Sequence, residues 1–147
     1  GSHAAVAEWV HALATGVGLH AELRGGHDSW DVNSLGAELD LRLAYPTWRL
    51  QLGYRFYTQT HASFYESKYT MDPSTYTYWT SDKELGDETG HLVRFNFAVV
   101  VMPADFPGGR RLLFTVQLDG AHYSYPGFIL LPSRDSIFGM IGLSWEL

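Results

Sequence analysis

The chain has 147 residues, a net charge of −6, no cysteine and a 15% aromatic content. That length suffices for one domain with a sizeable core. The absence of cysteine excludes a disulfide scaffold and thiolate metal sites, and an acidic chain without a basic stripe excludes nucleic acid as the expected partner. Lysine is scarce, only Lys68 and Lys83 against eight arginines, whereas a water-facing surface usually carries more of it.

Gly1, Ser2 and His3 read as a tag remnant and are set aside, leaving residues 4–147 as a single β-barrel domain. No signal peptide stands at the start, and no apolar run of eighteen residues offers a transmembrane helix. A spanning β-strand needs only about 9–11 residues, so a barrel in a membrane stays open. The segment from Ala4 to Leu13 fits either a short helix or the start of a first strand.

Beyond it, alternation with period two dominates. From Gly16 to Arg24, Val17, Leu19, Ala21 and Leu23 share one face, and His20, Glu22 and Arg24 the other. From Leu35 to Tyr45, leucines oppose Glu38, Asp40 and Arg42. The stretch LQLGYRFYTQTHASFY, with Trp48 and Arg49 before it, sets Leu50, Leu52, Tyr54 and Phe56 against Gln51, Arg55, Tyr57 and Gln59. From Leu92 to Met102, Val93, Phe95, Phe97, Val99 and Val101 oppose Arg94 and Asn96. From Arg111 to His122, Leu112, Phe114, Val116 and Leu118 oppose Thr115, Gln117 and Asp119. From Ser136 to Leu147, Ile137, Ile141, Leu143, Trp145 and Leu147 oppose Met140, Ser144 and Glu146.

These six strands have about the length of tilted membrane strands, against about 5–6 residues for typical soluble ones. The connections alternate in length: a long one to Ser34, a tight turn at Tyr45-Pro46-Thr47, a very long one to His91, a short one through Pro103, and a longer one to Asp135. Outer-membrane barrels have that parity, with short periplasmic turns and long outer loops.

The polar face carries Glu22, Arg24, Glu38, Asp40, Arg42, Arg49, Arg55, Arg94, Asp119 and Glu146, a set rich in opposite charges. Arginine favours bidentate pairing with carboxylates in enclosed sites, so this face reads as a lumenal charge network and the apolar face as lipid-facing. The network serves either as an ionic filling of a narrow barrel or as a selectivity ladder in a wider one. Aromatics near strand ends (Tyr45, Trp48, Phe56, Tyr57, Tyr123, Trp145) read as an interfacial girdle. The opposite reading, an apolar interior as in a soluble lipocalin-like carrier, stays as an alternative.

YRFYTQTHASFY and the later YWTSDKEL resemble a large bacterial family of unknown function, predicted to be outer-membrane β-barrels. Tyr54 to Gln59, Ala62 to Tyr65 and Ser81 to Leu85 carry the likeness, over about a quarter of the chain. The resemblance implies an outer-membrane location in a Gram-negative bacterium and the C-terminal portion of a longer barrel, and it transfers no catalytic residue. The expected fold is thus an all-β, antiparallel up-and-down meander, forming a transmembrane β-barrel of about eight strands or the C-terminal part of a larger one. A hairpin from Phe64 to Met71 and Thr75 to Asp82 would raise six strands to eight.

The enzymatic reading rests on GAHYSYPG. His122 and Ser124 share a strand face, and Asp135 could orient the imidazole to activate the serine. This is similar to the His-x-Ser arrangement of outer-membrane lipid A deacylases, small barrels whose serine is followed by Asn-Ala-Gly and whose acid is Glu. Here Tyr125-Pro126-Gly127 and Asp135 stand instead. Against the catalytic assignment of His122, Ser124 and Asp135 stands the plainer one, a strand end beside a loop.

The histidines His20, His27, His61, His91 and His122 form no ligand spacing, so no metal and no cofactor is expected. Expected partners are outer-membrane lipid, a further copy of the chain, and an extracellular ligand at the tyrosine-rich loop from Tyr65 to Trp79.

Overall fold

The structure is a computed structural model that describes residues 1–66, 68, 80–102 and 111–146. Among these residues the fold is all-β and antiparallel, a meander of seven strands in one sheet whose spatial order is their chain order. They are β1 (His3–Ala14), β2 (Val17–His27), β3 (Asn33–Ala44), β4 (Trp48–Gln59), β5 (Glu88–Met102), β6 (Arg111–Ser124) and β7 (Ser133–Glu146). The sheet does not close: β1 and β7 are its two edges.

One strand more is present than the six read from alternation. The segment from Ala4 to Leu13 is strand, not helix, and it pairs with β2 from His3↔His27 to Ala14↔Val17. Its alternation is illegible because Val6 and Val10 share the polar face with Glu8, while Trp9 and His11 share the other. The strand ends also reach further than expected. Gly25, Gly26 and His27 pair with Leu35, Ser34 and Asn33, and Ser124 pairs with Ser133. Gly, Asp and Ser in these stretches read as loop, yet a ladder bond needs only the backbone.

The connections keep the expected parity. At one end of the sheet lie the tight β1–β2 and β3–β4 turns and the β5–β6 connection; at the other lie 28–32, 60–87 and 125–132. Gly16 makes the β1–β2 turn possible. It has φ of +75°, and a Cβ there would stand 2.5 Å from the Ala44 carbonyl oxygen, while the Gly16 carbonyl accepts from Ala44 N–H at 2.7 Å. Only glycine satisfies both demands.

At the long-loop end the connections pack on one another. Ala62 N–H donates to Leu85 O, Ser63 N–H donates to Trp30 O, and Tyr125 N–H donates to Pro132 O. At the base of the longest loop Tyr65 and Thr80 form a single parallel bridge, not the antiparallel pairing of a hairpin. Of the expected hairpin, Phe64, Glu66, Lys68, Ser81 and Asp82 are not in strand, and residues 67, 69–71 and 75–79 lie outside the described residues, as does most of the loop from Tyr65 to Trp79.

Burial runs opposite to that of a soluble sheet. The buried apolar residues are Ala62 and Tyr125 at the loop end and Leu113 on the polar face. Ile137 and Ile141 are 89% and 73% exposed, whereas Asp40 is 1% exposed. The faces assigned from alternation are the observed ones on β2 to β7, Tyr57 on the polar face included, and it is the girdle reading that needs a correction. Tyr57 and Tyr123 belong to the polar face, because they occupy the positions paired with Gly36 and Gly90 and with Gly90 respectively. A Cβ on Gly90 would meet the Tyr123 ring at 3.0 Å, so the missing side chain is what admits the ring. Outward aromatics stand toward both ends: near the short turns Tyr45 and Trp48 have ring centroids 4.8 Å apart and Trp48 lies 6.4 Å from Phe97, and toward the long loops Phe56 lies 5.4 Å from the His91 ring.

Candidate functional site: the polar face

The charges on the polar face come together because cross-strand partners share a face. One register row runs Glu8, Glu22, Glu38, Arg55, and the next runs His20, Asp40, Gly53, Arg94, Asp119. Three glutamates in line would repel, but each has a hydrogen-bonding partner of its own. Arg24 Nε donates to Glu22 from two residues away. Arg55 holds Glu38 through Nε at 2.6 Å and Nη2 at 2.5 Å. His20 Nε2 meets Glu8 at 3.1 Å.

Asp40 is the centre of the second row. His20 Nδ1 lies 3.2 Å from one carboxylate oxygen, Gln51 Nε2 donates to the other at 3.2 Å, and Arg42 Nη2 stands 3.6 Å away. A buried carboxylate is tolerable only with such partners. Gly53 makes room for it, since a Cβ there would come within 2.5 Å of Asp40 Oδ1. Further along, Arg94 stands between Glu38 at 3.9 Å and Asp119 at 4.0 Å. Gln117 donates to Asp119 Oδ2 at 2.8 Å, and Asp119 Oδ1 is buried with no hydrogen-bond partner among the described residues.

Of the ten charges read as a lumenal network, the structure joins Glu22 with Arg24, and Glu38 with Arg55, Arg94 and Asp119, while Asp40 holds Arg42. Arg49 lies toward the short-turn end, and the side chain of Glu146 lies outside the described residues, as does Leu147. Sequence reasoning missed the parts of Glu8 and His20. Glu8 sat in a segment left open between helix and strand, and His20, placed on the polar face with Glu22 and Arg24, was given no part in the charge network.

Packing divides the face. Between Glu38, Asp40, Arg55 and Arg94 no space remains for a water-sized sphere. Toward the long loops lies a cleft of ≈ 390 Å³ bordered by Glu22, Arg24, Ser34, Arg55 and Tyr57. Toward the short turns lies a second of ≈ 340 Å³ bordered by Arg42, Arg49, Gln51, Asn96, Thr115 and Ser144.

The residues of the catalytic reading stand on the apolar face near the long-loop end. His122 and Asp135 are register partners, with Nδ1 and Oδ1 2.7 Å apart. Ser124 is two residues along the same face, and His122 is not hydrogen-bonded to it among the described residues. Across β5, His91 is the register partner of His122 and binds the Tyr54 hydroxyl at 2.8 Å. Among the described residues no group of three or more His, Asp or Glu side chains is placed to hold a metal ion.

These features define an antiparallel β-meander whose enclosed face is ionic and whose open face is apolar. The chain belongs to the family described as Protein of unknown function (DUF3570), whose family model matches residues 2–98. That match begins inside the stretch set aside as a tag remnant, where β1 also begins. It contains YRFYTQTHASFY and SDKEL and ends before β6, so it does not reach His122, Ser124 or Asp135. Comparison with curated proteins and with solved structures gives no match.

Proposed function

We propose that the chain is part of the wall of a bacterial outer-membrane β-barrel, a scaffold with its apolar face toward lipid and its ionic face toward the lumen. The observation that carries this is the reversed burial: Asp40 is enclosed while Val93, Leu118, Ile137 and Ile141 stand open. Water would favour the reverse, at roughly 25 cal/mol per Å² of apolar surface, whereas acyl chains accept that face at no such cost.

The dimensions fit as well. On β7 the outward positions run from Asp135 to Trp145. At about 3.3 Å per residue and a tilt of about 40° that distance spans ~25 Å of bilayer, the height of the apolar band in such barrels. The closed ionic layer supports a structural wall over an open conduit. The lipocalin-like alternative needs an enclosed apolar face, and the exposures run the other way.

Unpaired strand edges are costly in lipid, so the edges of β1 and β7 need cover. With seven strands, β1 and β7 run in the same direction, so pairing them directly would be parallel. An odd number of further strands restores antiparallel closure throughout. The test is extraction and gel mobility: the protein is expected to stay with membranes after a carbonate wash and to dissolve only in detergent. In the assembled barrel, mobility on a denaturing gel shifts on heating. A monodisperse, detergent-free protein sinks the proposal.

A second reading rests on the 2.7 Å contact of His122 with Asp135. An oriented imidazole beside Ser124 suits a lipid ester hydrolase. Fatty-acid release from lipid A that disappears in Ser124→Ala supports it; equal release from variant and parent, or none from either, removes it.

A further inference from the structure

We propose that the long-loop end of the polar face is a binding site for a neutral saccharide. The cleft there, ≈ 390 Å³, falls within the about 300–1,000 Å³ of small-molecule pockets. Two successive register rows shape it: Ala4, Gly26 and Ser34 in one, Val6, Arg24, Gly36 and Tyr57 in the other. Small side chains within these rows leave the space open. The packed layer at Glu38, Arg55 and Arg94 closes it toward the short turns.

Gly36 carries the argument furthest. Gly53 and Gly90 each make way for a neighbouring side chain, but a Cβ on Gly36 would meet nothing nearer than 3.7 Å. Its φ lies outside the left-handed region. Pairing runs in unbroken register on both sides of it, so it forms no bulge. A glycine inside a strand weakens the sheet, and one that neither packing nor backbone requires marks the close approach of a ligand.

The walls select the ligand. Arg24 is paired with Glu22, and Arg55 with Glu38, so the described charges bordering the cleft cancel. A charged or zwitterionic ligand would have to part those pairs. A hydroxyl group need not, because it donates to a carboxylate and accepts from a guanidinium. Both kinds of group keep capacity for it: Arg24 spends Nε on Glu22, Arg55 spends Nε and Nη2 on Glu38, and a guanidinium has five N–H donors. Tyr57 borders the same space with its hydroxyl held by Gln59 at 2.6 Å. That fixes a ring against which the C–H face of a pyranose can lie. Many hydroxyls and one apolar face together describe a sugar. The site needs only the polar face, so it stands or falls independently of where the apolar face resides.

The experiment titrates glucose, galactose, maltose and lactose separately into the full chain, held in an amine-oxide detergent that carries no sugar. Sodium acetate and betaine serve as the charged and zwitterionic controls. The readout is the backbone amide resonances of Gly26 and Gly36. Saturable shifts with at least one sugar, and none with acetate or betaine, are expected. Gly36→Leu and Val6→Trp, which fill the cleft, are expected to abolish them. Val6 is an exposed position on an edge strand, so its variant keeps the fold. Tyr57→Leu is expected to weaken binding about three- to tenfold. Gly142→Leu, on the same face toward the short turns, where a Cβ would meet nothing within 4 Å, leaves it unchanged. Absence of saturable shifts with every sugar, saturable shifts with acetate or betaine, or equal affinity in the parent, Gly36→Leu and Val6→Trp overturns the site.

Discussion

On the polar face almost every charged group has a partner within hydrogen-bond or ion-pair reach, and glycines at Gly53 and Gly90 are placed where a neighbour's side chain needs room. On the apolar face of β5 to β7, Val93, Leu118, Ile137, Ile141 and Leu143 touch little and stand half to nine-tenths exposed. Specific geometry is therefore concentrated on one side, and the other side offers only chemistry. An electrostatic network requires exact neighbours, because an unpaired enclosed charge is costly. A fluid apolar solvent requires only that no charge face it. The contrast shows which face the chain organises for itself and which it leaves to its surroundings.

That comparison breaks most sharply at Val93. In lipid, Val93→Arg is expected to cost about 2–4 kcal/mol of folding into vesicles, measured by denaturant titration in a bilayer. For an exposed position in water the same change costs within about 0.5 kcal/mol, so a near-zero result assigns the face to solvent. On the other side, Asp40→Ala removes the shared acceptor of His20, Gln51 and Arg42. We expect a loss of about 2–3 kcal/mol, below the ~3–5 of a fully buried pair because Arg42 stays hydrated. Gly53→Ala drives a methyl onto the same carboxylate and is expected to cost about 1–3 kcal/mol by overpacking, although no charge changes. If Gly53→Ala is neutral, the close packing of the ionic row is not what holds it.

Changes away from the centre sharpen the boundary of the network. Gly16→Ala, at the β1–β2 turn and away from both faces, is expected to cost about 2–3 kcal/mol, from its left-handed backbone and from the clash of the new Cβ with the Ala44 carbonyl oxygen. Arg24→Gln, whose guanidinium is more than half exposed, is expected to lower the melting temperature by a few degrees at most, even though it leaves Glu22 between two other glutamates. A larger drop there would mean that the edge of the polar face is as tightly coupled as its centre.

Much of this was legible from alternation alone. Leu39, Leu41 and Leu43 against Glu38, Asp40 and Arg42 assign both faces of β3 without coordinates. The connections likewise announce their parity through length. Less legible was β1, whose valines on the polar face erase the alternation. Tyr57 and Tyr123 were misplaced because an aromatic at a strand end suits a girdle and a glycine-backed niche equally well. His20 was legible as a polar-face residue but its partners were not, since Glu8 and Asp40 are carried by the strands on either side.

Strand identity, the facing of each residue and the loop parity follow from the order of residues, because a pleated strand alternates its side chains whatever surrounds it. Which charges meet is different. It depends on register across strands, and a shift of one residue would send every partner to the opposite face. Only the tertiary structure could place Asp40 over Gly53, stand Arg94 between Glu38 and Asp119, and leave Arg42 and Arg49 at the rim of an open cleft.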